Sequence, residues 1–317
     1  MTVRTVPRPD AGVVRSADGS LVRHVLVTPG MCGPNSLFVG RLGDWTWDAV
    51  SAACDVDAYA AHTQDGAPTY LSFYYYRVRG SVRFHPLRLT FGDRLQVVSR
   101  VFGFGSESVL TVHRLRRDTG GPVQPLVPED FYSYADEDCL YVETFNRWIA
   151  RSRPDRNTDL VRSSPRGFRH RHLPVLPDGF SPRPVYARAR RDGTFVPGGD
   201  AAVRFAIDYA VEPSRDLNGV GLLYFASYFS VVDWAVLRLW RRLGRDHRAF
   251  LGRAVLDHQL CYAGNADADA VLRCEVAWRP GAGAGNPEVV DVVIRDRASD
   301  SLLAVSTQRI AATGGEP

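Results

Sequence analysis

Two short glycine-containing stretches hold residues suited to chemistry on a carbonyl group. The first is Cys32-Gly33-Pro34-Asn35-Ser36-Leu37-Phe38, the second Asp216-Leu217-Asn218-Gly219-Val220-Gly221. Each runs into a long apolar segment. Glycine lets a backbone N–H come close to a ligand, and an asparagine amide adds a side-chain donor. Such donors at a helix N-terminus stabilise negative charge on an oxygen without any cofactor. The same residues serve equally as turn formers (Gly33, Gly219) and helix caps (Asn35, Asn218). Asp216 is the carboxylate of the second stretch, where the first has Gly30-Met31-Cys32; it can also close its own turn.

Other chemistries are excluded or left without a pattern. All 39 basic residues are arginine, which rules out Schiff-base chemistry, a lysine base and a phosphate-binding P-loop. Cys32, Cys54, Cys139, Cys261 and Cys274 show no paired spacing and no zinc-type cluster, so they read as reduced, buried thiols. No Gly-x-Ser-x-Gly elbow is present, and no cysteine neighbours a histidine. His113 and His258 fall in predicted strands and His62 in a loop; each has a structural and a catalytic reading.

The elements that must position these residues occur twice. Leu21 to Thr28 alternates as a strand does, then meets a Pro-Gly turn, the first glycine stretch and an apolar helix reaching about Cys54. Leu42, Trp45, Ala49 and Ala52 repeat on one face of that helix. Val203 to Val211 is again a strand, followed by Pro213, the second stretch and a helix beginning near Val220. A constant offset superposes Gly33 on Gly219, Phe38 on Tyr224, Ala49 on Ala235 and Val50 on Val236. Strands follow each helix: Tyr70 to Val78, Asp93 to Phe102 and Ser106 to Leu115 in the first copy. In the second they are Arg253 to Tyr262, Ala270 to Trp278, Val289 to Arg295 and Leu302 to Arg309. Each half thus reads as an α+β unit, a strand and a buried helix followed by an antiparallel meander that wraps the helix. The predicted organisation is residues 1–150, an Arg- and Pro-rich connector at 151–200, and residues 201–317.

Composition sets outer bounds. A hydrophobic content of 45% supports a substantial core, and a net charge of +4 is too mild to argue for nucleic acid. Val220 to Trp240 is nearly all apolar, but Asp233 and Arg238 interrupt it, so it reads as a core helix and not a membrane span. Met1 to Ser20 has no apolar stretch of the kind a secretory leader needs. A cytoplasmic protein is expected.

This order of elements resembles the hot-dog superfamily of thioester enzymes. Two stretches carry the likeness: Asp216 to Phe225, similar to the loop before the central helix of hot-dog thioesterases, and Phe91-Gly92-Asp93-Arg94-Leu95 with Ser99-Arg100, similar to their Gly-Asp turn. Since both occur in one duplicated chain, the resemblance implies a double hot-dog. Within that group the chain resembles the LnmK-like bifunctional acyltransferase/decarboxylase family of leinamycin-type polyketide pathways. That likeness rests on Met31 to Phe38, Gly43-Asp44-Trp45-Thr46-Trp47, Tyr70 to Tyr76 and the Asp216 stretch, and it spans most of the chain outside its ends and residues 118–200.

The resemblance implies use of methylmalonyl-CoA, decarboxylation, and delivery of propionyl to an acyl carrier protein. No cofactor and no metal are expected. Decarboxylation leaves an enolate, for which Asn35, Asn218 and the backbone at Gly33 and Gly219 are candidate donors. In hot-dog hydrolases a carboxylate near this loop acts as base or nucleophile, a role that would fall to Asp216. The family further suggests a tyrosine nucleophile: Tyr70, with Ser72 beside it, heads the candidates, which include Tyr59, Tyr74, Tyr75 and Tyr76. Alternation puts Tyr70, Ser72, Tyr74 and Tyr76 on one face; packing in a core or interface is the other reading. His113 and Arg169 are candidate substrate contacts. Arg169 belongs to an arginine-rich stretch from Arg151 to Arg171 that suits CoA phosphates or an acidic carrier surface, or else forms a solvated linker. A plain acyl thioesterase and a non-catalytic acyl-binding protein are the competing readings. A homodimer is expected, with no nucleic acid and no membrane as partner.

Overall fold

The computed structural model describes residues 10–33, 35–153, 156–283 and 285–311. A short strand β1 (Asp10–Arg15) pairs with β2 (Leu21–Leu26), and helix α1 (Asn35–Cys54) follows. Next come β3 (Tyr70–Arg79), β4 (Arg94–Gly103) and β5 (Ser108–Arg117). Helix α2 (Pro128–Ser133) precedes β6 (Cys139–Arg151); a short β7 (Leu160–Arg162) and helix α3 (Arg183–Asp192) complete this part. The second half opens with β8 (Val203–Ala210), the single turn α4 (Pro213–Asp216), the central α5 (Phe225–Arg242) and α6 (His247–Leu251). It ends on β9 (Val255–Tyr262), β10 (Val271–Arg279), β11 (Glu288–Asp296) and β12 (Leu302–Ile310).

The strands form one sheet in the order β1-β2-β4-β5-β6-β3-β9-β12-β11-β10-β8, with β7 on β6 and every pairing antiparallel. Reading inward from each side shows the duplication: β2-β4-β5-β6-β3 is matched by β8-β10-β11-β12-β9, with α1 and α5 in corresponding places. The two copies join at the β3–β9 seam, where Tyr75 to Arg79 pair with Cys261 to Asp257. This is a double hot-dog.

The helices take their places by apolar spacing. On α1, Phe38, Leu42, Trp45 and Ala49 are all buried at three- and four-residue intervals. On α5, Phe229, Val232, Val236 and Leu239 have no exposure. Asp233 within this apolar helix pairs with the buried Arg253 at 2.7 Å, which compensates a charge that would otherwise be costly to bury. Among the described residues, no helix is long and apolar enough to cross a membrane. α1 and α5 pack against each other, and glycine permits the approach. A methyl group at Gly43 would collide with the Phe225 ring, and one at Gly40 would lie 3.3 Å from the Tyr224 hydroxyl.

Three features differ from the sequence reading. β6, a 13-residue strand in the middle of the sheet, was not anticipated because both its faces are covered. Glu143, Thr144 and Asn146 are buried there beside Val142 and Phe145, so polarity does not alternate. The helix expected near Val220 starts at Phe225, because residues 217–223 form a tight loop closed by a Leu217–Leu223 bridge. A bulge between Phe73 and Tyr75 breaks the alternation in β3. Phe73 and Tyr76 therefore share the helix-facing core, while Tyr74 and Tyr75 pack in the cluster on the opposite face. Tyr76 leaves the face it was expected to share with Tyr74.

Candidate active site

β3 extends past the end of its partner. Only Tyr75 to Arg79 pair with β9, which ends at Tyr262, so Tyr70 to Tyr74 border a gap at the seam. A cavity of about 420 Å³ occupies this place. Its walls are Gly43, Asp44 and Trp47 of α1, Tyr70 to Tyr74 of β3, Asn218 to Val220 and Leu222 to Tyr224 of the loop, Phe225 of α5, and Tyr262 to Asn265 at the end of β9. Both copies contribute. Thr158 and Leu160 of the connector close one side, so this segment also borders the site.

The second glycine stretch is held from behind. Asp216, 1% exposed, accepts through its carboxylate from the Tyr209 hydroxyl and the Glu212 N–H, both at 2.8 Å. Its carbonyl accepts from Tyr224 N–H at 2.8 Å and from the Ser227 hydroxyl at 3.0 Å. Asp216 does not line the cavity; its lone pairs are engaged in fastening the loop to α5. The Asn265 amide pairs both ways with the Leu223 backbone at 3.0 and 3.1 Å, and Asn157 donates to the carbonyls of Gly221 at 2.7 Å and Ala266 at 3.0 Å.

Asn218 sits inside this frame. Its Oδ1 accepts from the N–H groups of Val220 at 3.1 Å and Leu222 at 3.0 Å. Its Nδ2 has no partner among the described residues, and Asn218 lies in the cavity wall with Gly219. Since Oδ1 is fixed by two backbone donors, the amide cannot flip without losing both. Tyr70 and Ser72, both half-buried, also line the cavity, and their hydroxyls likewise have no partner among the described residues.

The other expected residues lie elsewhere. Gly33, in the left-handed region at φ 98°, is not in the cavity wall, and Asn35 opens α1, although its side chain lies outside the described residues. His113 is sealed in the core between the hydroxyls of Thr46 at 2.9 Å and Ser99 at 2.7 Å. Burial, reinforced by Arg23, pushes its pKa down to about 3, so it is a neutral structural histidine away from the cavity. Arg169 is on the surface, paired with Asp55 at 3.1 Å. Its neighbours Arg162, Arg166 and Arg171 are exposed and have no ion pair among the described residues. The stretch reaches the head of β3: Thr69 donates to the carbonyls of Ile149 and Ser163, both at 2.8 Å.

Two cavity residues were not singled out from the sequence. Asp44 is the carboxylate of the cavity wall, with Arg41 at 3.3 Å. Burial raises its pKa; Arg41 opposes the rise and the nearby Asp48 adds to it. Tyr224, opposite Gly40, is pushed up to about 12 by burial and by the field of Asp44. Tyr59, more than half exposed at the rim, has its hydroxyl 2.9 Å from Asp48 Oδ1 and 3.2 Å from the Asp44 carbonyl. Burial and Asp48 hold that phenol well above its ordinary range. The signal for Asp44 was its place one turn from Gly40 and beside Gly43, since glycines on a helix face mark a close crossing.

Comparison with known proteins agrees with this architecture. Similar solved structures include the 12:0-ACP thioesterase from Umbellularia californica, at 14% identity and a TM-score of 0.55 over 92% of this chain and 93% of that one. A Lactobacillus plantarum protein described as an oleoyl thioesterase is similar at 12% identity and a TM-score of 0.58, over 92% of this chain and 96% of the other. At these identities the likeness is one of fold. No curated protein matches the sequence. The family described as the LnmK N-terminal Hot Dog Fold domain matches residues 22–197, more than half of the chain. The chain therefore belongs to the LnmK-like hot-dog family.

Proposed function

We propose that the chain is an acyl-thioester enzyme that takes methylmalonyl from CoA, decarboxylates it and passes propionyl to an acyl carrier protein. One observation carries this reading. A single cavity is lined by Tyr70 and Ser72, whose hydroxyls have no partner among the described residues, and by Asn218, whose amide is oriented by two backbone donors and whose nitrogen has no partner among those residues. Membership of the LnmK-like family supports the same chemistry.

In this reading Tyr70 Oη attacks the thioester carbonyl, the C–S bond breaks, and CoA departs as its thiol with the phenol's proton. Loss of CO2 then breaks a C–C bond and moves its electron pair onto the acyl oxygen. Asn218 Nδ2 and backbone N–H groups of the Gly219 loop donate to that oxygen. After protonation at C2, the carrier's thiol attacks the ester and its proton returns to Tyr70. Ser72 is the neighbouring hydroxyl that orients the acyl group. The exposed Arg162 and Arg166, close to the head of β3, and Arg171 further along the same stretch suit phosphates of CoA or an acidic carrier. Asp216, which favoured a hydrolase, is already engaged in holding its loop.

The test is mass spectrometry of a carrier protein incubated with the chain and methylmalonyl-CoA. Propionyl on the carrier is the expected result. Release of free acid with an unmodified carrier would replace this reading with hydrolysis, and no reaction at all would leave an acyl-binding role.

A further inference from the structure

The proposed reaction needs a proton at carbon as well as stabilisation at oxygen, and Asn218 with the Gly219 loop supplies only the latter. When CO2 leaves, C2 carries electron density that must take up H⁺ to become propionyl. The cavity wall holds one carboxylate among its described residues, Asp44, and no histidine, cysteine or arginine. Its remaining ionisable groups are phenols, and those of Tyr59, Tyr224, Tyr228 and Tyr262 are all raised above their ordinary range by burial. A phenol that holds its proton more tightly is a weaker acid, so these four are poor donors.

The placement of Asp44 is enforced by the helix crossing. It follows Gly43, where α1 meets the Phe225 ring, so the close approach of the helices sets this turn of α1 against the loop that carries Asn218. The groups around its carboxyl are Arg41 at 3.3 Å and Asp48 on the same helix, Arg23 of β2, Tyr59 at the rim and Tyr224 from the α5 side. Burial and Asp48 favour the protonated acid, while Arg41 and Arg23 resist it. The carboxyl remains partly open to solvent, with 47% of the side chain exposed, which gives a route for recharging.

We propose that Asp44 is the catalytic acid that protonates C2 of the enolate; this rests on the decarboxylase reading above. The Asp44 O–H bond breaks, its proton joins C2, and the enolate's electron pair forms the new C–H bond while the acyl C=O is restored. Asp44 is left as carboxylate and regains H⁺ from water. Because the acid belongs to one wall, the proton arrives on one face of the planar enolate.

Decarboxylation of methylmalonyl-CoA in D2O, followed by configurational analysis of the deuterated propionyl product, tests this directly. The wild type should give one configuration at C2. Asp44→Asn should slow turnover by about 100-fold or more and give product scrambled at C2, because water then delivers the deuteron. Asp44→Glu should recover a measurable part of the selectivity. Asp44→Asn product of undiminished single configuration assigns the proton to another donor and overturns the proposal alone. Absence of CO2 release by the wild type overturns the decarboxylase reading, and this proposal with it.

Discussion

Asn218 commits one end of its amide to its own loop and leaves the other without a partner among the described residues, which separates its structural role from the donor role proposed for it. Asn218→Asp keeps an oxygen for the N–H groups of Val220 and Leu222 but removes both donors. The variant should fold with little change in melting temperature, while decarboxylation falls by about 10- to 1,000-fold. Steady-state CO2 release beside a thermal melt checks this; lost stability with full activity per folded molecule would make Asn218 a loop residue only. The sequence exposed Asn218, Gly219, Tyr70 and Ser72, since a glycine turn and a strand end are legible locally. It is misleading at Asp216, because a carboxylate beside a glycine turn does not show which way it points. The hydrogen bonds from Tyr209 and Glu212 come from the strand and turn before it, and those were not readable as partners.

At the scale of elements, the site depends on the α1–α5 crossing. Gly43→Ala inserts a methyl group where the Phe225 ring lies, so either the ring or the helix must move. The expected cost is about 1–3 kcal/mol, read as a lower melting temperature, with weaker acyl binding because Gly43 and Phe225 both line the cavity. Unchanged stability and binding would mean the helices are free to separate. The duplicated strand–helix–meander order was visible in the sequence because each unit repeats its turn and its apolar spacing. β6 and the β3 bulge were not. Burial of β6 on both faces removes the alternation that marks a strand, and a bulge is fixed by the partner strand, here the β6 register.

The whole molecule joins two copies along one seam, and the seam carries buried charge. Arg77 donates to both oxygens of Asp257 at 2.9 and 2.7 Å, and Tyr132 donates to Glu143 at 2.8 Å. Burial pushes the Glu143 pKa up to about 7 against the hydrogen bond from Tyr132. The folded state therefore binds this proton more tightly than the unfolded chain. The resulting stability is full below about pH 4.5 and is lost as pH rises through 7. Buried His85, His113 and His258 act in the opposite sense. Burial lowers their pKa values to about 4, 3 and 4, so their contribution is full above about pH 6.5 and fades as pH falls below it. Glu143→Gln should thus melt higher than wild type at pH 8, by roughly several degrees, and gain little at pH 5. An equal difference at both values would show that Glu143 does not titrate in this range.

At this same scale the two glycine stretches are unequal, since the Asn218 loop lines the cavity and the Gly33 loop does not. The proposed reaction needs one composite site per chain, with the acyl group carried on Tyr70. Intact-mass analysis of the enzyme after brief exposure to methylmalonyl-CoA tests it most directly, comparing wild type with Tyr70→Phe, which retains the ring and deletes the hydroxyl. A single acyl adduct per wild-type chain is expected, mapped by peptide fragmentation to Tyr70 and absent from the variant. An adduct that persists in Tyr70→Phe, two adducts per chain, or carrier acylation with no enzyme adduct at any time would contradict it.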